Sequence, residues 1–402
     1  FTREFIHLAK EHLTEGGVFV QWMNARLVDK DLLRSLAATV LDAFEYARIY
    51  QTDPTVLLIV GSSAPLDLEL ELDRTGQPLR QDLLHYSYIG LNGINDFIAA
   101  LSLDENGFRK FAQGAPLSTD NNNLMATRSR SLADGLDERQ LFTLFEPYDP
   151  LLNPDSWVYR ELGRKLNFSY ITSRLLAEGR TTRVGRLASM VPAPSDQALI
   201  SALAFAHNGE TEKTLDALRA AIRIDPRKMD ARFAFISHRL SDFARGEVDQ
   251  ETQAIASGLT GSAAAVVKGW PLGAAQDWNA LFGLEQELAR SNVSDLWYPE
   301  TVQLRAEWRT KVAGDDKYPF DALRMLDRAL VIRPNLNLYV LRAAAASALN
   351  DEEALVESGR YVAAYIGDKL RRADTGEYSM SDDELNAMII RLSAFEIRLR
   401  EL

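Results

Sequence analysis

Apolar residues near the start of the chain recur at helical spacing. Phe5, Leu8, Ala9 and Leu13 predict an amphipathic helix over Thr2–Leu13. Gly16-Gly17 stops it. The run Val18-Phe-Val-Gln-Trp22 follows, bounded by glycine and apolar without a helical period. It predicts a strand over Val18–Met23 that is covered on both faces and paired on both sides. Asp29 stands where a helix cap belongs, ahead of Leu32, Leu33, Leu36, Val40 and Leu41, so a second helix is expected up to Phe44. Tyr46–Tyr50 and Thr55–Val60 read as two strands around the turn Gln51-Thr-Asp-Pro54, close enough for an antiparallel hairpin. The order helix, strand, helix, strand, strand is that of an α/β fold. It predicts a further strand against the free side of Val18–Trp22, supplied by a preceding half-domain or by another polypeptide, because an apolar edge is seldom left bare.

The period then changes. Leu66, Leu68, Leu70 and Leu72 alternate with Asp67, Glu69, Glu71 and Asp73, the pattern of a half-buried strand with an acidic outer face. Helices are expected over Tyr86–Leu103 and Glu105–Gln113, then a polar loop over Ala115–Asn123. From Ser156 onward the pattern is helical. Ala202, Phe205, Gly209, Ala217, Leu218, Ala221 and Pro226 fall on the small, aromatic and glycine positions of a tetratricopeptide-like repeat of ~34 residues. Ala322–Pro334 repeats its second half. Leu341–Leu349 and Glu353–Tyr365 form one more helix pair. In this register Pro226 and Pro334 each lie just past a second helix. The expected divisions are therefore 1–62, 63–155 and 156–402, the last a short α-solenoid.

Composition narrows the function. The chain has 402 residues, 46% of them hydrophobic and 25% charged, enough for more than one domain. A net charge of -12 argues against a nucleic-acid partner. The absence of cysteine excludes disulfides, thiolate metal sites and cysteine nucleophiles. No run approaches the ~20 apolar residues of a membrane span. This leaves a soluble chain, cytoplasmic or tied to a membrane through a segment upstream. No phosphate loop, nucleophile elbow, Ser-His-Asp signature or zinc helix motif is present.

Three stretches together resemble the spermidine synthase-like (polyamine aminopropyltransferase) family. They are Phe1-Thr-Arg-Glu-Phe5 leading into Leu13-Thr-Glu-Gly-Gly-Val-Phe-Val-Gln-Trp22, the hairpin end Leu57-Leu-Ile-Val-Gly-Ser62, and the loop Ala115-Pro-Leu-Ser-Thr-Asp120. The resemblance covers about residues 1–130. It implies that residues 1–62 are the C-terminal half of a class I S-adenosylmethionine-type Rossmann-like fold, a parallel sheet finished by an antiparallel hairpin. It further implies a tetratricopeptide-like domain behind it, as in some long members, and decarboxylated S-adenosylmethionine as the parent family's cofactor. The family's glycine-rich loop, ribose-binding acid and catalytic aspartate precede Phe1, so no catalytic or cofactor-binding residue is assigned here. Gln21 matches the glutamine that ends the strand on the substrate side, Trp22 lines the same pocket, and Asp120 belongs to the substrate loop. Asn121 stands where long members often carry a second aspartate.

Each candidate also has a plainer reading. Gln21 and Trp22 either face a ligand at the carboxyl end of a strand or pack within the fold. His7 and His12 are five apart and do not share a helix face, which disfavours a metal pair. Asp67–Asp73 reads as a solvated strand face. Arg160, Arg164, Lys165, Arg174, Arg180, Arg183 and Arg186 read as a solvated helix face rather than a phosphate site. Two functions follow: an aminopropyltransferase portion that is inactive alone, or a non-enzymatic repeat scaffold that docks a peptide or protein.

Overall fold

A computed structural model describes residues 1–66, 91–128, 135–312, 317–382, 384–386 and 388–389. The acidic alternation at 67–73 and the start of the helix expected from Tyr86 lie outside the described residues. Contacts divide the chain into two units, Phe1–Leu83 with Asn92–Pro192, and Leu84–Leu91 with Ala193–Leu402. The helices that follow Ser156 up to Pro192 therefore belong with the sheet. The helical pattern alone places the division near Ser156 instead.

The first unit begins with α1 (Arg3–Glu11), capped by the Thr2 side chain. It continues through β1 (Val18–Asn24), α2 (Lys30–Ala43), β2 (Tyr46–Asp53) and β3 (Val56–Ser62). Asp29 caps α2 by accepting from the Leu32 amide at 2.9 Å. The β2–β3 hairpin closes through Gln51 Nε2 donating to Pro54 O at 2.9 Å. Then come α3 (Ile94–Ala100), β4 (Leu101–Leu103), α4 (Glu105–Ala112), α5 (Leu124–Arg128) and α6 (Glu138–Phe145). A π-helical turn over Val158–Leu162 precedes α7 (Phe168–Ala177) and α8 (Thr181–Met190).

The sheet order is β1-β3-β2-β4, and every neighbouring pair is antiparallel. A Rossmann-like sheet is parallel. The described sheet is antiparallel throughout, so the expected parallel Rossmann-like sheet is not present among the described strands. Because β1 and β2 are both antiparallel to β3, they run in the same direction on either side of it. One face carries Met23, Ala47, Ile49, Leu57 and Ile59 into a core with Leu32, Leu33, Leu36 and Val40 of α2. Each of the Leu, Ile, Val and Met side chains among them contributes about 1.5–3 kcal/mol by leaving water. Gly61 is required here: a Cβ would lie 2.7 Å from the Phe44 ring, which stacks on Phe19 with centroids 5.5 Å apart.

One helix reading is corrected. The expected helix through Leu103 ends at Ala100, and Leu101–Leu103 is a buried strand paired with β2, Leu103 opposite Ile49. An apolar triplet is compatible with either state, and the open edge of β2 decides.

The second unit is helical among its described residues. It comprises α9 (Pro194–His207), α10 (Thr211–Ile224), α11 (Met229–Ser237), α12 (Leu240–Arg245), α13 (Gln250–Ala256), α14 (Gly261–Ala274), α15 (Trp278–Gly283) and α16 (Glu285–Leu288). It continues with α17 (Tyr298–Lys311), α18 (Lys317–Ile332), α19 (Leu336–Ala348) and α20 (Glu352–Asp374). α9 packs on α10, α17 on α18 and α19 on α20. Pro226 follows the end of α10, and Pro334 the end of α18. Ala202 and Ala221 are fully buried where these helices meet. The middle of the unit is irregular, with the short helices α12, α15 and α16 and Pro271 inside α14.

Candidate functional site

Gln21 and Trp22 lie near the carboxyl end of β1. As neighbours in a strand they point to opposite faces, so they do not line one pocket as the resemblance implied. The Gln21 side chain donates to the Trp22 carbonyl at 2.6 Å. Trp22 shares its face with Val18 and Val20, and the three are 55%, 47% and 54% exposed. Leu58 and Val60, opposite Trp22 and Val20 on β3, are half-buried on the same face. The expected covering on both faces and pairing on both sides is not supplied by the described residues of this chain. β1 pairs with β3 on one side, no described strand pairs with the other, and one face is open. Phe1, and Phe5 and Leu8 of α1, are also exposed apolar side chains.

Asp120 sits elsewhere. Its amide donates to Glu4 Oε2 at 2.9 Å, in the first turn of α1. The loop around it is tied by reciprocal Thr119–Asn122 backbone bonds of 3.2 and 3.1 Å. Ser118 O accepts from Arg3 N at 2.7 Å, and Ser118 N donates to Thr39 Oγ1 at 2.9 Å. These bonds fasten the loop to α1 and to the back of α2. No described bond joins Asp120 to Gln21 or Trp22. Beside α1, Arg3 and His7 both reach Asp42 Oδ2 at 2.7 Å. The His7 bond and then the Arg3 contacts hold the Asp42 carboxyl below its usual range against a modest burial effect. His7 is thus bonded to Asp42, and no group of metal-ligating side chains occurs among the described residues.

A pocket of about 340 Å³ opens beside β2, lined by Tyr46, Arg48, Pro65, Leu66, Glu105, Asn106 and Arg109. Arg48 is bonded to Glu105 at 2.9 Å and to Tyr50 Oη at 3.3 Å, and Arg109 to Glu45 O at 2.5 Å. Both cations are already engaged within the fold.

The most strongly coupled polar groups are ones that the sequence reading placed in solvent. Arg183 is 1% exposed. It grips Asp149 with two bonds of 2.7 and 2.8 Å, and donates to Ala99 O at 2.5 Å and Leu101 O at 2.6 Å. Arg180 is also buried and donates to Gln51 O at 3.0 Å and Ala99 O at 2.7 Å. Burial, then the neighbouring Arg183 charge, pulls the Arg180 guanidinium down to about 9, so it remains charged at neutral pH. Asp96 and Glu178 are both pushed up by burial, against the pull of Arg174. Tyr170 Oη donates to Asp96 Oδ1 at 2.7 Å. These groups fasten α7 and α8 to α3 and the β4 edge. The sequence held a signal for them, since Arg180, Arg183, Val184 and Leu187 share one helical stripe. Arg160, Arg164, Lys165 and Arg186 are exposed, as a solvated face requires.

No family model, curated protein or solved structure matches the chain. No helix among the described residues is long and apolar enough to cross a membrane.

Proposed function

We propose that the first unit contains the C-terminal part of a spermidine synthase-like aminopropyltransferase, that the helical unit is a tetratricopeptide-like module for a peptide or protein partner, and that the chain alone is not catalytically competent. The observation that carries this reading is the order and direction of β1, β3 and β2. Two strands run the same way with a hairpin strand inserted antiparallel between them, the pattern that ends a class I Rossmann-like sheet. The open edge and bare apolar face of β1 lie where such a sheet continues. A strand on that side, entering α1 and running parallel to β1, would complete a β-α-β unit, a connection that is almost always right-handed.

Aminopropyl transfer requires a neutral amine nitrogen to attack the carbon next to the sulfonium of decarboxylated S-adenosylmethionine. A carboxylate serves as the base that holds and deprotonates the amine. In the proposed complete fold that carboxylate and the cofactor loop come from the added part, and Gln21 stands at the strand end beside them. The bare Val18, Val20 and Trp22 face is the surface the added part covers. The non-enzymatic scaffold is the second reading. It is favoured by the extent of the helical unit and by the lack of any catalytic cluster joining Gln21, Trp22 and Asp120 among the described residues.

The test is calorimetry with decarboxylated S-adenosylmethionine and methylthioadenosine on two proteins, the chain alone and the product of the complete reading frame. The transferase reading expects no saturable micromolar binding by the chain and clear binding by the complete product. Absence of binding by both leaves the scaffold as the function.

A further inference from the structure

The helical unit makes a contact that stacking of successive helix pairs does not require. Its first hairpin, α9–α10, is joined to the end of its last, α19–α20. Ser379 N donates to Asn208 O at 2.8 Å. Arg372 Nη2 reaches Asn208 Oδ1 at 3.2 Å and His207 O at 3.4 Å. Gly209, with φ of +74°, lies so close that a Cβ there would overlap Ser379 O and come 3.0 Å from the Tyr378 ring. Lys369 Nζ in turn donates to Tyr378 Oη and Glu384 Oε1, each at 2.8 Å, and Tyr378 Oη donates to Glu384. In an array whose repeats touch only their neighbours, the two ends have no reason to meet.

We propose that Gly376–Asp382 is a releasable latch that holds the first and last hairpins together, giving the helical unit a closed and an open form. Its attachment to the α9–α10 turn is made of a few hydrogen bonds, each worth about 0.5–1.5 kcal/mol net. Tyr378 is its buried apolar side chain. Segments held this way open locally well below the free energy of global unfolding. The helices they fasten rest on continuous buried contacts and stay folded. Opening uncovers the Asn208–Gly209 turn that the segment covers. The latch stands on its own contacts.

Hydrogen exchange followed by mass spectrometry tests this with G209A and G246A. Gly246 also has a positive φ, +71°, but open space around it, so G246A reports backbone strain without the clash. G209A is expected to speed exchange over 376–382 by about tenfold or more while α14 and α17–α19 keep wild-type rates, and G246A to leave that segment unchanged. R372A keeps the glycine and removes the Asn208 bond, and is expected to speed exchange there by a smaller factor. Spin labels on α10 and α20 should show a longer distance in G209A. Unchanged exchange over 376–382 in both G209A and R372A overturns the latch. So does equal loss of protection throughout α9–α20, which makes the segment part of the core.

Discussion

Arg183 illustrates what single residues do in this molecule. A guanidinium with its donors spent on Asp149, Ala99 and Leu101 cannot be removed without leaving a buried carboxylate without its cationic partner and the Leu101 carbonyl without this donor. Removing one partner of such a pair typically costs about 3–5 kcal/mol, whereas replacing both with apolar residues costs far less. R183M should therefore destabilise the chain strongly in urea unfolding, and R183M with D149L should recover much of the loss. Equal losses in the single and double variants would contradict the pairing. The latch turn supplies a pH effect. Burial, then Arg372 and Lys369, lowers His207 to about 4 from an ordinary 6.5. The folded state thus holds the neutral ring while the unfolded chain takes up a proton below about 6.5. Stability from this group is full above that pH and is lost as pH falls toward 4. H207Q should flatten the stability profile between pH 6.5 and 4, measured by thermal unfolding, and leave it nearly unchanged at pH 8. These residues were only partly legible in the sequence. Arg180 and Arg183 look like surface charge until their helical stripe is seen to be shared with Val184 and Leu187.

At the scale of elements, what is local was legible. Asp29 announces the start of α2, Gly16-Gly17 ends the first helical pattern, and Pro226 and Pro334 mark helix ends. What tertiary pairing decides was not. β4 is a strand because β2 has an edge to fill, and no residue within Leu101–Leu103 dictates that. The alternation of exposure along β1 was hidden for a similar reason. Val18, Phe19, Val20 and Trp22 are all apolar, so the pattern fits a strand covered on both faces, while only one face is covered in the structure. V20K and W22K place charge on the open face. Each should change the chain's own unfolding free energy by less than about 0.5 kcal/mol. Both should lower self-association in light scattering at high concentration, because a bare apolar edge invites pairing. Strong destabilisation would mean the face is covered within the chain. G61V should do the opposite, destabilising by about 1–3 kcal/mol through the Phe44 ring while leaving association unchanged.

On the scale of the whole molecule, the boundary between units falls after Pro192 rather than near Ser156, because buried arginines fasten α7 and α8 to the sheet's unit. Periodicity cannot show this, since a helix packed on a sheet and a helix packed on a helix carry similar stripes. The candidate site was legible only as positions. Gln21 and Trp22 stand at a strand end as read, but on opposite faces, and Asp120 belongs to a loop fastened to α1 and α2. The transferase reading proposed above requires that the cofactor site is not complete within this chain. Titration calorimetry with decarboxylated S-adenosylmethionine addresses it most directly. No saturable heat from this chain, together with micromolar binding by the product of the complete reading frame, is the predicted result. Saturable micromolar binding by the chain alone would contradict it.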